Sequence, residues 1–212
     1  TATVLAVLKA NPDLPVVALS SGAAQDAENQ DGASLLQSNP YAVLKHQEEQ
    51  ALEQIASTRL AVVFRVFAAS GRFMTRPEKF ALGDFLMHGL EGRPIVVQNP
   101  ALVMRSYIHA DTLLRASWRL IRGRCEHGLQ TPGFHRIDAC THTVRLTDLA
   151  RFIAKQFNVP CLTPSHNHER GQQDLYIGDP LPMTALLRKL QLPACDLQEQ
   201  IADTCIGLRR AA

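Results

Sequence analysis

With 212 residues, the chain is long enough to bury a sizeable core, as one domain or as two lobes. Its hydrophobic fraction of 46%, charged fraction of 20% and net charge of +2 are ordinary for a globular protein in water. They exclude the strongly basic or acidic balance of a nucleic-acid or membrane-surface binder, and no apolar run reaches membrane-spanning length.

The apolar positions Val4, Leu5, Val7 and Leu8 predict an opening helix over Ala2 to Ala10, ended by Asn11-Pro12-Asp13. Pro15 to Ser20 is then a continuously apolar run bounded by a turn, the pattern of a buried parallel strand. A polar loop from Gly22 to Asn39 leads into a helix that carries Tyr41 and ends near Ser57, and Arg59 to Phe64 is a second apolar strand. Strand, helix, strand at this spacing is a βαβ unit, so the fold class is α/β with a parallel sheet.

Further along, a loop over Gly71 to Pro77 precedes a helix from Glu78 to Leu90, and short strands follow at Pro94 to Val97 and Arg105 to Ile108. Next come a helix from Asp111 to Ile121, a strand over Phe134 to Asp138 and a helix from Thr147 to Phe157. A loop rich in proline and histidine separates these from two closing helices, one after Pro182 and one capped by Asp196 and Glu199.

Tyr41 and Lys45 stand four residues apart on their helix, so phenol and ammonium share a face. The cation favours phenolate, and a tyrosine so tuned exchanges protons near neutral pH. Ser20-Ser21 closes the preceding strand at its carboxyl end, where chemistry gathers in parallel sheets. A serine hydroxyl there can hold the substrate oxygen where the proton leaves or arrives. The plain alternative is a solvated Lys45 on an amphipathic helix, with the serines in a simple turn.

Five widely spaced cysteines (Cys125, Cys140, Cys161, Cys195 and Cys205) without a Cys-x-x-Cys pair predict reduced thiols in a cytoplasmic protein. His166 and His168 near Cys161 have the chemistry of metal ligands, but a polar loop accounts for them and no metal is expected. Arg119, Arg122 and Arg124 surround a helix end, where cations complement the dipole.

Four segments, in order, resemble the extended short-chain dehydrogenase/reductase family, the NAD(P)-dependent sugar-nucleotide epimerases, dehydratases and reductases. Val17-Ala18-Leu19-Ser20-Ser21 is similar to the strand that delivers a catalytic Ser or Thr, and Pro40-Tyr41-Ala42-Val43-Leu44-Lys45, with Glu49 following, to the Pro-Tyr-Gly-x-Ser-Lys helix. Phe64 to Gly71 resembles the Arg-x-x-Asn-x-x-Gly turn. Gly92 to Val97 through Arg105 to Asp111 resembles Gly-x-Pro-x-x-Val followed by Arg-Asp-Tyr-Ile-His-Val-x-Asp.

The resemblance implies a partial Rossmann-like lobe over residues 1–72 and 104–139, and a smaller, irregular α/β substrate lobe over 73–103 and 140–212. It implies Ser21, Tyr41 and Lys45 as the catalytic triad, with Ser20, Tyr41 and Lys45 at an NAD or NADP cofactor. A nucleotide-sugar substrate would meet Arg105 at its phosphates and Ile95, Val96 and Val97 at its base. Arg105 has the alternative of pairing with an acid such as Asp111, and Arg65 is expected to brace the turn. A homodimer through the helix of Tyr41 is also implied.

There are departures. Ala68 and Ser70 replace the Asn and Tyr of the turn, and no Gly-x-x-Gly-x-x-Gly occurs to cradle a pyrophosphate. By family order Thr1 falls within the helix before the serine strand, so a carboxyl-terminal portion of a longer enzyme is expected, inactive alone and with an apolar edge at Val16 to Leu19. Gly22-Ala23 stand where the 4,6-dehydratases place an Asp-Glu pair, which favours epimerase or keto-sugar reductase. The alternatives are a non-catalytic structural or interaction module and a reductase of a small non-nucleotide carbonyl compound.

Overall fold

A computed structural model describes residues 2–29, 32–98, 102–123, 132–163 and 173–211. The chain opens with α1 (Ala2–Ala10) and β1 (Val16–Ser21), then passes through a 3-10 turn (Gly22–Gln25) into α2 (Asp26–Asn29), α3 (Gly32–Ser38) and α4 (Pro40–Glu53). The stretch expected to be a polar loop is therefore largely helical. Leu35 packs with Ala42 and Val43 of α4 and with Ala23 and Ala27, a small apolar cluster that organises these short helices.

Asn39 caps α4, its side chain accepting from the Ala42 backbone N–H at 3.2 Å, and Pro40 takes the first helical position. After α4 come β2 (Leu60–Val66) and β3 (Ala68–Ser70), then a 3-10 turn (Pro77–Lys79) and α5 (Ala81–Leu90). Helix over Glu78 to Leu90 is thus interrupted, because Phe80 is extended at φ −125° and ψ 131°.

The chain continues through β4 (Ile95–Val96), β5 (Val103–His109), α6 (Ala110–Ile121), β6 (Gly133–Ala139), β7 (His142–Arg145) and α7 (Leu146–Phe157). It ends with β8 (Cys161–Leu162), β9 (Asp174–Tyr176), α8 (Pro180–Lys189) and α9 (Leu197–Ala211). No described helix is long and apolar enough to cross a membrane.

The chain divides into two compact units. The first comprises residues 1–67, 112–139 and 179–194 and holds the parallel sheet β1-β2-β6. Val63 pairs with Ala18 on one side and Arg136 on the other, and β2 is buried from Leu60 through Arg65, which is why its sequence shows no alternation. Leu8 of α1 and Leu52 of α4 pack on Val63. β1 lies at the sheet edge, with Leu19 49% exposed.

The second unit comprises residues 68–111, 140–178 and 195–212. Its sheet centres on β5, which pairs parallel with β3 and β9 and antiparallel with β7. A two-stranded pair, β4 with β8, joins a core built from Leu82, Phe85, Leu86, Leu149, Ile153 and Ile201. β7 and β9 were not expected from sequence. Both are short, and they owe their conformation to pairing with β5.

Candidate active site

The register of the first sheet places Ser20 opposite Arg65, and Arg65 opposite Asp138, in one row at the carboxyl ends of its strands. Ser21, one residue further, caps the following turn: its Oγ accepts from the Ala23 backbone N–H at 3.3 Å. The simple serine turn weighed as an alternative is therefore present.

Helix α4 brings its first turn to the same place. Ala42 and Val43, next to Tyr41, pack with Ala23, two residues beyond Ser21. Tyr41 is 52% exposed, and the Lys45 ammonium lies 6.0 Å from the centre of its ring. Tyr41 and Lys45 thus share a face of the helix whose first turn packs against the serine turn. Lys45 also pairs with Glu48 at 2.9 Å across a surface turn of helix.

Ser20, expected at the cofactor, lies where β1 meets α4. It is buried, and its hydroxyl donates to Glu49 Oε1 of α4 at 2.5 Å. Arg65 donates to both oxygens of the same carboxylate, with Nη2 at 2.6 Å from Oε2, and its two terminal nitrogens also reach Glu28 at 3.1 and 2.6 Å. Arg136 approaches Glu49 at 3.0 Å and Glu28 at 2.8 Å. The Arg65 hydrogen bond holds the Glu28 carboxyl below its usual range, while burial opposes that shift. Arg65 therefore braces α2 and α4 against the sheet.

Glu28, His46 and Glu49 have ligand atoms close enough together for a metal, but the two arginines already balance both carboxylates. The His166 and His168 pair lies outside the described residues.

Two further features of this unit were not foreseen. Asp138 accepts from the Asp179 backbone N–H at 2.9 Å and from Gln25 at 3.2 Å, and burial raises its carboxyl above the ordinary range. Gly22 lies under the ring of Phe67: a Cβ on residue 22 would stand 2.4 Å from two ring carbons. No side chain fits there unless Phe67 moves.

In the second unit Arg105 makes a bidentate pair, donating Nη1 to Asp174 Oδ1 at 2.9 Å and Nη2 to Oδ2 at 2.6 Å. Its acid is Asp174 rather than Asp111. Ile95 and Val97 belong to the buried core, whereas Val96 is exposed. At the end of β3, Ser70 donates to Gln200 at 2.7 Å, so the residue replacing the family Tyr fastens the strand end to α9.

Residues 1–128 match the model of the NAD dependent epimerase/dehydratase family. The chain belongs to that family. Comparison with curated protein sequences gives no significant match. Among solved structures, the epimerase/dehydratase chain resembles UDP-N-acetylglucosamine 4-epimerase from Methanobrevibacter ruminantium, in complex with UDP-N-acetylmuramic acid, with TM-score 0.67 and 16% identity over 100% of this chain and 68% of that one. It also resembles dTDP-glucose 4,6-dehydratase from Bacillus anthracis in complex with NAD, with TM-score 0.66 and 14% identity over 99% and 66% of the two chains. A third is MoeE5 in complex with UDP-glucose and NAD, with TM-score 0.65 and 16% identity over 98% and 69%. At these identities the likeness is one of fold, and the chain spans about two thirds of the length of each.

Proposed function

We propose that this member of the epimerase/dehydratase family handles protons in an NAD(P)-dependent reaction on a nucleotide sugar, of the epimerase or keto-sugar reductase type. The observation that carries the reading is the meeting of the Tyr41 turn of α4 with the turn that Ser21 caps, at the carboxyl end of a parallel sheet.

Tyr41 and Lys45 suit a nicotinamide ribose. The phenol is half exposed, and the ammonium is held by one surface acid, Glu48, which a ribose hydroxyl can replace. Ser20 does not suit this role, since Glu49 takes its hydroxyl. When bound, the cofactor supplies or receives a hydride. Tyr41 exchanges the proton of the sugar hydroxyl or carbonyl, Lys45 holds the nicotinamide ribose, and Ser21 orients the reacting oxygen. Arg105 meets the substrate phosphates by exchanging Asp174 for them, one bidentate acid for another.

Gly22 supports epimerase or reductase over dehydratase, because Phe67 occupies the volume that an acidic side chain on residue 22 would need. The test is binding of NAD(H) and NADP(H), followed by turnover of UDP- and dTDP-sugars. Tyr41→Phe should lower turnover about 100-fold or more while leaving substrate binding intact. A chain that binds neither cofactor nor nucleotide sugar would instead be an interaction module, and turnover of a small carbonyl compound without competition by nucleotide sugars would move the substrate class.

A further inference from the structure

Glu49 follows Tyr41 and Lys45 on α4 at steps of four residues, and its carboxylate is the polar contact of that helix with Arg65 of the sheet. It accepts from Ser20, the residue before Ser21 on β1, and from Arg65 on β2, and it forms an ion pair with Arg136 on β6. One carboxylate therefore touches all three strands of the sheet. It is 1% exposed and Arg65 is 3% exposed, so no water substitutes for a lost partner.

The apolar contacts of α4 do not fix its position along the sheet so closely. Leu52 packs with Leu8 and Val63 through non-directional contacts, which tolerate small slides of the helix. The hydrogen bonds to Glu49 do not. A helix advances about 1.5 Å and turns about 100° per residue, so a slip of a fraction of a residue would displace a phenol and reorient it. A misplacement of about 1 Å can cost about 100-fold in rate.

We propose that Glu49 is a positioning residue: joined to Ser20 and Arg65, it sets the placement of α4 and thereby of Tyr41 and Lys45 beside Ser21. The inference rests on the function proposed above, but its structural part can be tested without turnover. Ser20→Ala removes one hydrogen bond and leaves every charge in place. Glu49→Gln keeps the shape and removes the charge. Ser20→Thr restores the hydroxyl.

The experiment is fluorine NMR of the whole chain labelled with 3-fluorotyrosine, which gives signals for Tyr41, Tyr107 and Tyr176, with Tyr41→Phe assigning the first. The expected result is a shifted or broadened Tyr41 signal in Ser20→Ala, a larger change in Glu49→Gln, and a return toward the original signal in Ser20→Thr, with Tyr107 and Tyr176 unmoved. In the turnover assay, Ser20→Ala should lower kcat about tenfold at unchanged KM.

An unmoved Tyr41 signal in folded Ser20→Ala would overturn the proposal, whatever the activity, and if Glu49→Gln fails to fold, Ser20→Ala decides alone. A moved signal in a chain that turns over no nucleotide sugar would uphold the positioning and overturn the reaction. A lowered melting temperature with the Tyr41 signal and kcat unchanged would reduce Glu49 to a purely structural residue and overturn it too.

Discussion

Glu49 in the first unit and Asp203 in the second do the same geometric work under different conditions. Each is a helical carboxylate that draws an arginine and a segment at a strand end onto its helix. Glu49 of α4 is sealed among Ser20, Arg65 and Arg136, while Asp203 of α9 holds Arg72, through its side chain and its backbone N–H, and His109 at 3.1 Å beside solvent. The difference teaches where precision resides. A buried ion cluster contributes little net stability relative to a well-packed apolar one, but it becomes costly when a single partner is lost. An ion pair at the surface shares its partners with water and salt, so it fastens without dictating.

The largest effect should come from breaking the sealed cluster. Glu49→Ala leaves Arg65 buried opposite a single remaining carboxylate and should cost about 3–5 kcal/mol in a denaturant titration. If it cost no more than the loss of Asp203, the contrast between the two sites would collapse.

Next is Gly207, on α9 beside the same turn, where a Cβ would stand 1.9 Å from the Arg72 carbonyl oxygen. Gly207→Ala should cost about 1–3 kcal/mol by pushing the helix off the turn, and its effect should be confined to the second unit in hydrogen exchange. Asp203→Asn, which keeps the shape and weakens the charge-assisted bonds, should cost about 1 kcal/mol, and less in high salt.

The pH dependence sharpens the same point. Burial alone would raise the Asp203 carboxyl, but bonds from Arg72 and His109 hold it at about 2, below its ordinary 3.8. A folded value below the unfolded one contributes stability above the unfolded value that is lost as pH falls through the folded one, so the Asp203 contribution should disappear between about pH 4 and pH 2. Acid titration followed by circular dichroism should show that loss in the parent chain and a shallower one in Asp203→Asn. The smallest effect is at the start of α9, where Asp196 accepts from the Glu199 N–H and Glu199 accepts from the Asp196 N–H. Asp196→Ala should cost about 0.5–1 kcal/mol in the same denaturant assay.

What sequence revealed and what it hid follow from the range of the forces involved. β1, β2 and α4 were legible because each carries its signal locally: an unbroken apolar run, or Asn39-Pro40 ahead of a periodic stretch. The capping box before α9 was legible for the same reason. The helices between Gly22 and Ser38 were hidden because they are short and polar, and their order comes from contacts with α4. β7 and β9 were hidden because their partner, β5, lies far away along the chain.

Tyr41 and Lys45 could be put on one helix face from their spacing alone. The fate of Ser20 could not, since it depends on Glu49 from α4. The one local hint was that Glu49 continues the four-residue rhythm of Tyr41 and Lys45. Similarly, an arginine such as Arg105 announces an acid partner, but only the pairing of β5 with β9 selects Asp174 over Asp111.

Gly22 under the ring of Phe67 constrains how this chain can change over generations as well as what it can hold now. An acid introduced at residue 22 alone meets a clash, whereas one introduced after Phe67 has been reduced to a smaller residue meets space. Mutations that would bring a carboxylate beside Ser21 are therefore ordered, with the step that adds no chemistry coming first. A library that varies residue 22 alone should return only glycine, and one that varies both positions should return small residues at 67 wherever 22 has gained a side chain.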